Sequence, residues 1–371
     1  MVQIAEANSN REVKKFIKFP FRLYKNSPYW VPDFVQGDFI TLKKNPALEF
    51  CKTKYFLARK DGQIVGRIAG IINELENEKT GKKFARFGWV DFTDDAEVPA
   101  ALFRAVEQWA ASEGMTAIHG PLGFTDLDRE GLLIEGFDKL GTLATIYNHP
   151  YYQAHFEQNG YSKSIDWVEY EIEVPDTVSD RVNEFARKIA ERYHLRELRP
   201  RKAKDFKPYI PAIFSLLNQA YQHLYGFVQL NDKQIKLYSD QYFGFINPDF
   251  VSVILNEEDK LVGFGITMPS FSIALQKSKG RLFPFGFLHL LKAMKKNDRA
   301  DFYLIAVDPA YQKKGVNALI FNKIWNSFIK FGIKKIETNP ELETNTAVQA
   351  MWQGYHPRNH KRRRCFIKQL S

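Results

Sequence analysis

A chain whose halves repeat the same succession of turn and apolar run is constrained to fold as two copies of one unit, and this sequence repeats in that way. Asp61-Gly62-Gln63-Ile64-Val65-Gly66 is echoed by Glu258-Asp259-Lys260-Leu261-Val262-Gly263, each set between two apolar runs. A tight polar turn between such runs predicts a hairpin, 55–59 with 64–72 in the first half and 250–255 with 261–268 in the second. Each hairpin is followed by a strand (87–92; 302–307) and an amphipathic helix. The helix over 98–112 puts Leu102, Ala105, Val106 and Trp109 on one face; that over 317–331 aligns Ile320, Ile324, Phe328 and Phe331. A further strand follows (116–119; 335–338), then a short helix ending in Gly160-Tyr161 or Gly354-Tyr355, which suits a C-cap with a hydrophobic latch, and a closing strand. A helix carrying Val182, Phe185 and Ile189 bridges the halves. The expected fold is α/β, with units at 1–175 and 176–371, each a mixed, mostly antiparallel sheet flanked by helices. At 371 residues each half can bury its own core.

Composition narrows the function classes. No apolar run approaches the ~20 residues of a membrane span, and the amino terminus is polar where a signal peptide needs ~7–15 apolar residues, so a cytoplasmic location is expected. Cys51 and Cys365 lack the companions of a zinc cluster or a disulfide framework; both read as reduced and structural, and no metal is expected. The net charge of +10 favours anionic partners such as phosphates, nucleic acid or an acidic membrane surface. The densest basic run, Lys361-Arg362-Arg363-Arg364, adjoins Cys365 and Ile367 and reads as the start of a last strand. Nucleic-acid binding would call for further basic clusters interleaved with exposed aromatics, and it is not expected.

The segment that carries chemistry is Ile305-Ala306-Val307-Asp308-Pro309-Ala310-Tyr311-Gln312-Lys313-Lys314-Gly315-Val316-Asn317-Ala318. A strand ends at Pro309, a short loop containing Gly315 follows, and a helix opens at once. Such a loop aims backbone N–H groups at one spot, the helix dipole adds positive potential, and glycine lets an anion approach closely. A lysine-rich turn before a surface helix is the bland alternative. Competing nucleotide loops fit poorly: there is no Walker A sequence, and Gly263-Phe264-Gly265 lacks a third glycine and a following helix. Gly-x-Ser-x-Gly and His-Glu-x-x-His are also absent from the sequence.

At Val307, Pro309, Gln312 and Gly315 the chain resembles the GNAT superfamily of acyl-CoA transferases, whose cofactor loop reads Gln/Arg-x-x-Gly-x-Gly/Ala after a strand ending in Val-x-Pro. Asn317 replaces the final small residue. The resemblance implies that Ile305, Ala306, Val307, Gln312, Lys313, Lys314, Gly315, Val316 and Asn317 hold acetyl-CoA or a longer acyl-CoA. Asn345 would lie near the cofactor arm. It continues in the first half, where Gly88-Trp89-Val90-Asp91-Phe92, His119-Gly120-Pro121, Glu135-Gly136-Phe137-Asp138 and Tyr147-Asn148-His149-Pro150-Tyr151-Tyr152 look like a bacterial family of tandem GNAT proteins that includes the bacterial ceramide synthases. The corresponding first-half loop, Thr93-Asp94-Asp95-Ala96-Glu97, offers three carboxylates and no glycine. That half is therefore expected to be a degenerate unit that scaffolds the other and walls the acceptor cleft.

The resemblance implies direct attack of a neutral amine on the thioester, with a backbone N–H of strand 302–307 polarising the carbonyl. An alkyl ammonium has a pKa near ~10, so a side chain must take the proton. Glu337, Glu343 and His356 are the candidate bases, each with the alternative of being an ordinary surface or strand-end group. The family's tyrosine acid position is Ala350 here, which leaves Tyr355 as a stand-in with a core role as its alternative. Residues 281–296, densely apolar and then basic, are expected either to wall a hydrocarbon channel through Phe283, Phe285, Phe287, Leu288 and Leu291, to lie in a membrane interface, or to pack on their own domain. The leading expectation is N-acylation of an amine, with a lipid-like amine or long acyl chain favoured. The alternatives are acetylation of a small polar amine, a peptidoglycan-type transferase using aminoacyl-tRNA, and a non-catalytic ligand-binding protein.

Overall fold

The structure, a computed structural model, describes residues 1–370. Its strands in chain order are β1 Gln3–Glu6, β2 Cys51–Lys60, β3 Gln63–Asn73, β4 Phe84–Phe92, β5 Ala117–Gly120, β6 Leu132–Glu135, β7 Ser162–Glu173, β8 Arg196–Glu197, β9 Val251–Leu255, β10 Leu261–Pro269, β11 Arg299–Val307, β12 Lys335–Thr338, β13 Glu341–Leu342 and β14 Arg358–Gln369. The expected hairpins are β2–β3 and β9–β10. In each half the next two strands lie parallel, residues 84–86 of β4 opposite 117–119 of β5, and 299–302 of β11 opposite 335–338 of β12.

The amphipathic helices Glu97–Ser112 and Val316–Phe331 cover these hairpins and bury the expected apolar faces. A Cβ at Gly70 would stand 2.5 Å from the Trp109 ring, and one at Gly265 would stand 2.6 Å from Ile320. These glycines therefore let each helix sit close on its sheet, which accounts for the Gly263-Phe264-Gly265 spacing without a nucleotide.

The two units share one sheet. Its order is β1-β2-β3-β4-β5-β14-β7-β12-β11-β10-β9-β8, with β13 on β7 and β6 on β14. Each half's closing strand crosses to the other: β7 pairs with β12 and β13, while β14 pairs with β5, and the two meet antiparallel in the middle. The basic run thus lies within β14, which begins at Arg358, instead of opening it. Lys361 and Arg363 are buried. Lys361 binds the Glu337 carboxylate and donates to the Leu140 carbonyl at 2.7 Å, and Arg363 binds Glu169. Buried cations of this kind require paired carboxylates.

The segment 281–296 corrects one expectation. Its helix, Gly286–Lys295, buries Leu290 against the helix Ser272–Ser278. Phe283, Phe285, Leu288 and Leu291, however, face solvent with 76%, 70%, 51% and 47% exposure, and Phe287 is also exposed. They wall no channel: Phe283 and Phe285 precede the helix, and only one stripe of so short a helix can reach the domain beneath it. Among the described residues no helix is long and apolar enough to cross a membrane.

Candidate active site

β11 and β12 stay paired only as far as Phe302 and Thr338. There the Asn339 N–H donates to the Phe302 carbonyl at 3.0 Å and its side-chain amide to the Tyr303 carbonyl at 3.0 Å, and the strands part. A cavity of about 710 Å³ occupies the gap. Ile305, Ala306, Val307, Gln312, Lys313, Val316, Asn317 and Asn345 border it. From the first half come Asp38, Trp89, Asp126, Asp128, Glu130 and Trp167.

The loop from Gln312 to Gly315 lies at the cavity's edge. Gly315 caps the helix Val316–Phe331 with φ 81°, in the left-handed region. A Cβ there would meet Ile189 at 3.1 Å. The Gln312 side chain donates to the Val307 carbonyl at 3.2 Å and ties the loop to the strand end. Lys314, outside the cavity lining, lies over the rings of Tyr193 and Tyr311. The first N–H groups of a helix have no intrahelical acceptor and face outward with the positive end of the dipole. Those amides and the two lysines fit a pyrophosphate. Asn345 caps the helix Thr346–Trp352.

The four side chains named for proton transfer stand elsewhere. Glu337 is buried against Lys361 and lies 3.5 Å from His360. Burial works to raise its carboxyl, but the Lys361 ammonium overrides it and holds the group well below the usual carboxylate range, which makes it a poor proton acceptor. Glu343 is 2.7 Å from Lys163 and 3.5 Å from Arg362 in an ion-pair network. Tyr355 packs against Trp325 with ring centroids 4.7 Å apart, and burial raises its phenol. His356 is exposed in a left-handed turn.

The carboxylate that borders the cavity at the strand gap is Glu341. The Trp352 indole donates to its Oε1 at 2.6 Å, while its Oε2 is buried without a partner among the described residues. Burial pushes its carboxyl up to about 8, against the lowering effect of bonds from Trp352 and Thr338. Tyr221 also borders the cavity and donates to the Ile305 carbonyl at 3.1 Å. On the first-half wall, burial raises Asp126 and Asp128 to about 6, and burial together with Asp33 raises Asp38 to about 7. No local pattern separates Glu341 from Glu343, two positions apart in one segment. Among the described residues no cluster of His, Cys, Asp or Glu could hold a metal ion.

In the first half, the loop at the corresponding place is closed by its own charges. Asp95 and Glu97 lie 2.6 and 3.2 Å from Lys60, and Asp94 lies 2.8 Å from His155.

The model of the acetyltransferase (GNAT) family matches residues 210–355. Protein YghO of Escherichia coli is 31% identical over 98% of this chain and 94% of its own length. The bacterial ceramide synthase of Caulobacter vibrioides is 26% identical over 97% and 95%. A tandem GNAT protein from the clavulanic acid biosynthesis pathway, 12% identical, superposes with a TM-score of 0.58 over 100% of this chain and 99% of that one. The chain belongs to the GNAT family, in its tandem form, and is an N-acyltransferase.

Proposed function

We propose that the protein transfers an acyl group from acyl-CoA to a lipid-like amine of the sphingoid kind, residues 176–371 holding the acyl-CoA and residues 1–175 walling the acceptor. The observation that carries this reading is the cavity of about 710 Å³ running from the Gln312 loop to the first-half wall, far more than an acetyl group would fill. Gln312, Lys313, Lys314 and the amides from Gly315 to Asn317 would hold the pyrophosphate, and Ile305 to Val307 would hold the arm. Trp89, Trp167 and Met351 supply apolar lining. The carboxylates of the first half suit an ammonium or hydroxylated head group. The similarity to a protein named a ceramide synthase supports the same substrate class.

Access to such an acceptor would come from peripheral docking on the acidic inner surface of the cytoplasmic membrane. Phe283, Phe285, Leu288 and Leu291 present an apolar face. Around it stand Lys277, Lys279, Arg281, Lys292, Lys295 and Lys296, and no Asp or Glu occurs from Lys260 to Asn297. Apolar area beside basic charge is what an interfacial helix uses.

The test is transfer from acetyl-, octanoyl- and palmitoyl-CoA to sphinganine and to a small polar amine, with the amide weighed by mass spectrometry. Each methylene buried adds up to ~0.8 kcal/mol, so affinity should climb with chain length until the cavity is full. Preference for acetyl-CoA and the small amine would overturn the lipid reading. Docking is read separately, as sedimentation with phosphatidylglycerol vesicles that is lost in Phe285→Asp/Leu288→Asp. Equal sedimentation of parent and variant would overturn it.

A further inference from the structure

We propose that Glu341 is the general base of this acyl transfer, its free Oε2 taking the proton of the attacking amine; the inference rests on the N-acyltransferase reading of the same cavity. Glu341 follows the last paired residue of β12 by three positions, where β11 and β12 part, and it borders the same cavity as Ile305, Ala306 and Val307. It is held there on two sides. Its backbone pairs with Val168 of β7, and its Oε1 is fixed by the Trp352 indole at 2.6 Å. This leaves Oε2, buried and without a hydrogen-bond partner among the described residues. A buried carboxylate oxygen with no donor is costly to retain in a structural role, whereas a base needs an unoccupied lone pair facing the reacting atom.

The neighbours of Glu341 do not oppose this role. Trp352 donates to Oε1, Trp352 and Thr338 of β12 act to lower its carboxyl, and Tyr170 of β7 and Tyr221 are the titratable groups within electrostatic reach. Among the described residues no cation comes within ion-pair distance, which separates Glu341 from Glu337, held low by Lys361, and from Glu343, paired with Lys163. Burial raises its proton affinity to about 8, closer to that of an amine than an ordinary carboxylate's, so proton transfer is better matched.

The step balances without a further reactant. The lone pair of a neutral amine forms the C–N bond, the C–S bond breaks, and the proton released from nitrogen passes to Oε2. Glu341 then returns that proton to the departing thiolate. Amide and CoA thiol leave, and the carboxylate is restored.

The experiment compares the parent with Glu341→Gln, which keeps an oxygen for Trp352 but cannot take a proton, using palmitoyl-CoA and sphinganine. The parent's kcat should rise with pH along a limb centred near 8. The Gln variant should lose 10²- to 10⁴-fold in kcat and lose the limb, with KM for palmitoyl-CoA changed less than about twofold. Thermal melts give a readout free of activity. Because the folded-state pKa lies above the unfolded one, the parent binds the proton more tightly when folded and loses stability as pH rises from about 4.5 to about 8. Parent and Gln variant should therefore melt together at pH 4, with the variant melting higher at pH 9. Trp352→Phe removes a donor that favours the charged form, so its limb should move to higher pH while activity persists above it. Transfer that survives in Glu341→Gln within threefold and with its limb intact would overturn the role of Glu341 alone. Absence of transfer by the parent to any amine would overturn the enzyme reading and this inference together.

Discussion

The two units have the same strand order and differ in what lies between their parallel strands. Aligning the register of β4 and β5 (Phe84 opposite Ala117) with that of β11 and β12 (Arg299 opposite Lys335) sets Gly88 against Tyr303 and Gly120 against Thr338. In the second unit the strands part beyond this point and the cavity opens. In the first, the chain folds back into the gap. The Leu122 N–H donates to the Phe87 carbonyl at 2.8 Å, and a Cβ on Gly88 would stand 2.3 Å from the Leu122 carbonyl oxygen. A backbone plug stands where the second unit has its cavity, and beside it lies an acidic loop whose carboxylates meet Lys60 and the His155 ring. The first unit keeps the fold with its gap filled, because the plug supplies backbone contacts across it.

The sharpest way to break this comparison is at the two loops. Gly315→Glu adds a charge and a Cβ where φ is 81°, and it should abolish CoA binding by at least about 100-fold, roughly 2.7 kcal/mol. Calorimetry on the parent should give one site per chain. Two equal sites, or an unchanged variant, would show that the two units do not differ in CoA binding.

A smaller effect is expected at the plug. Gly88→Ala forces a methyl against the Leu122 backbone and should cost about 1–3 kcal/mol in denaturant unfolding, as overpacked cores do. Tyr303→Ala at the equivalent position faces the cavity and should disturb acyl transfer more than stability. If the two substitutions destabilise equally, the first-unit gap is no tighter than the second.

The smallest effect is expected from the surface charges of the cradle. Lys313→Ala/Lys314→Ala should weaken CoA binding only a few-fold at physiological salt, since exposed charges contribute about 0.2–1 kcal/mol each. The loss should shrink further as salt is added. A loss as large as that of Gly315→Glu would mean that the lysines, not the backbone amides, hold the pyrophosphate.

Much of this was legible in the residues. The hairpin turns, the helices packed on Gly70 and Gly265, and the loop around Gly315 all follow from local periodicity and glycine placement, and β12 spans the expected 335–338. The reading faltered where distant residues decide. Leu288 and Leu291 belong to a dense apolar stretch whose direction depends on which stripe of the helix Gly286–Lys295 reaches the domain, and that stripe is the one with Leu290. Glu337 and Glu343 are chemically able bases that partners 19 or more positions away neutralise: Lys361 for the first, Lys163 and Arg362 for the second.

Side chains within a few positions of one another were enough to specify the two hairpins, the helices laid over them, the order in which these repeat and the glycine that opens the helix Val316–Phe331. Only the tertiary structure decided the exchange of β7 and β14, since a strand's alternation reads the same whichever neighbour its hydrogen bonds find. It also decided which carboxylate stands free. Glu341 and Glu343 share one segment, and their difference lies wholly in burial and in cations delivered from other strands, which no local pattern encodes.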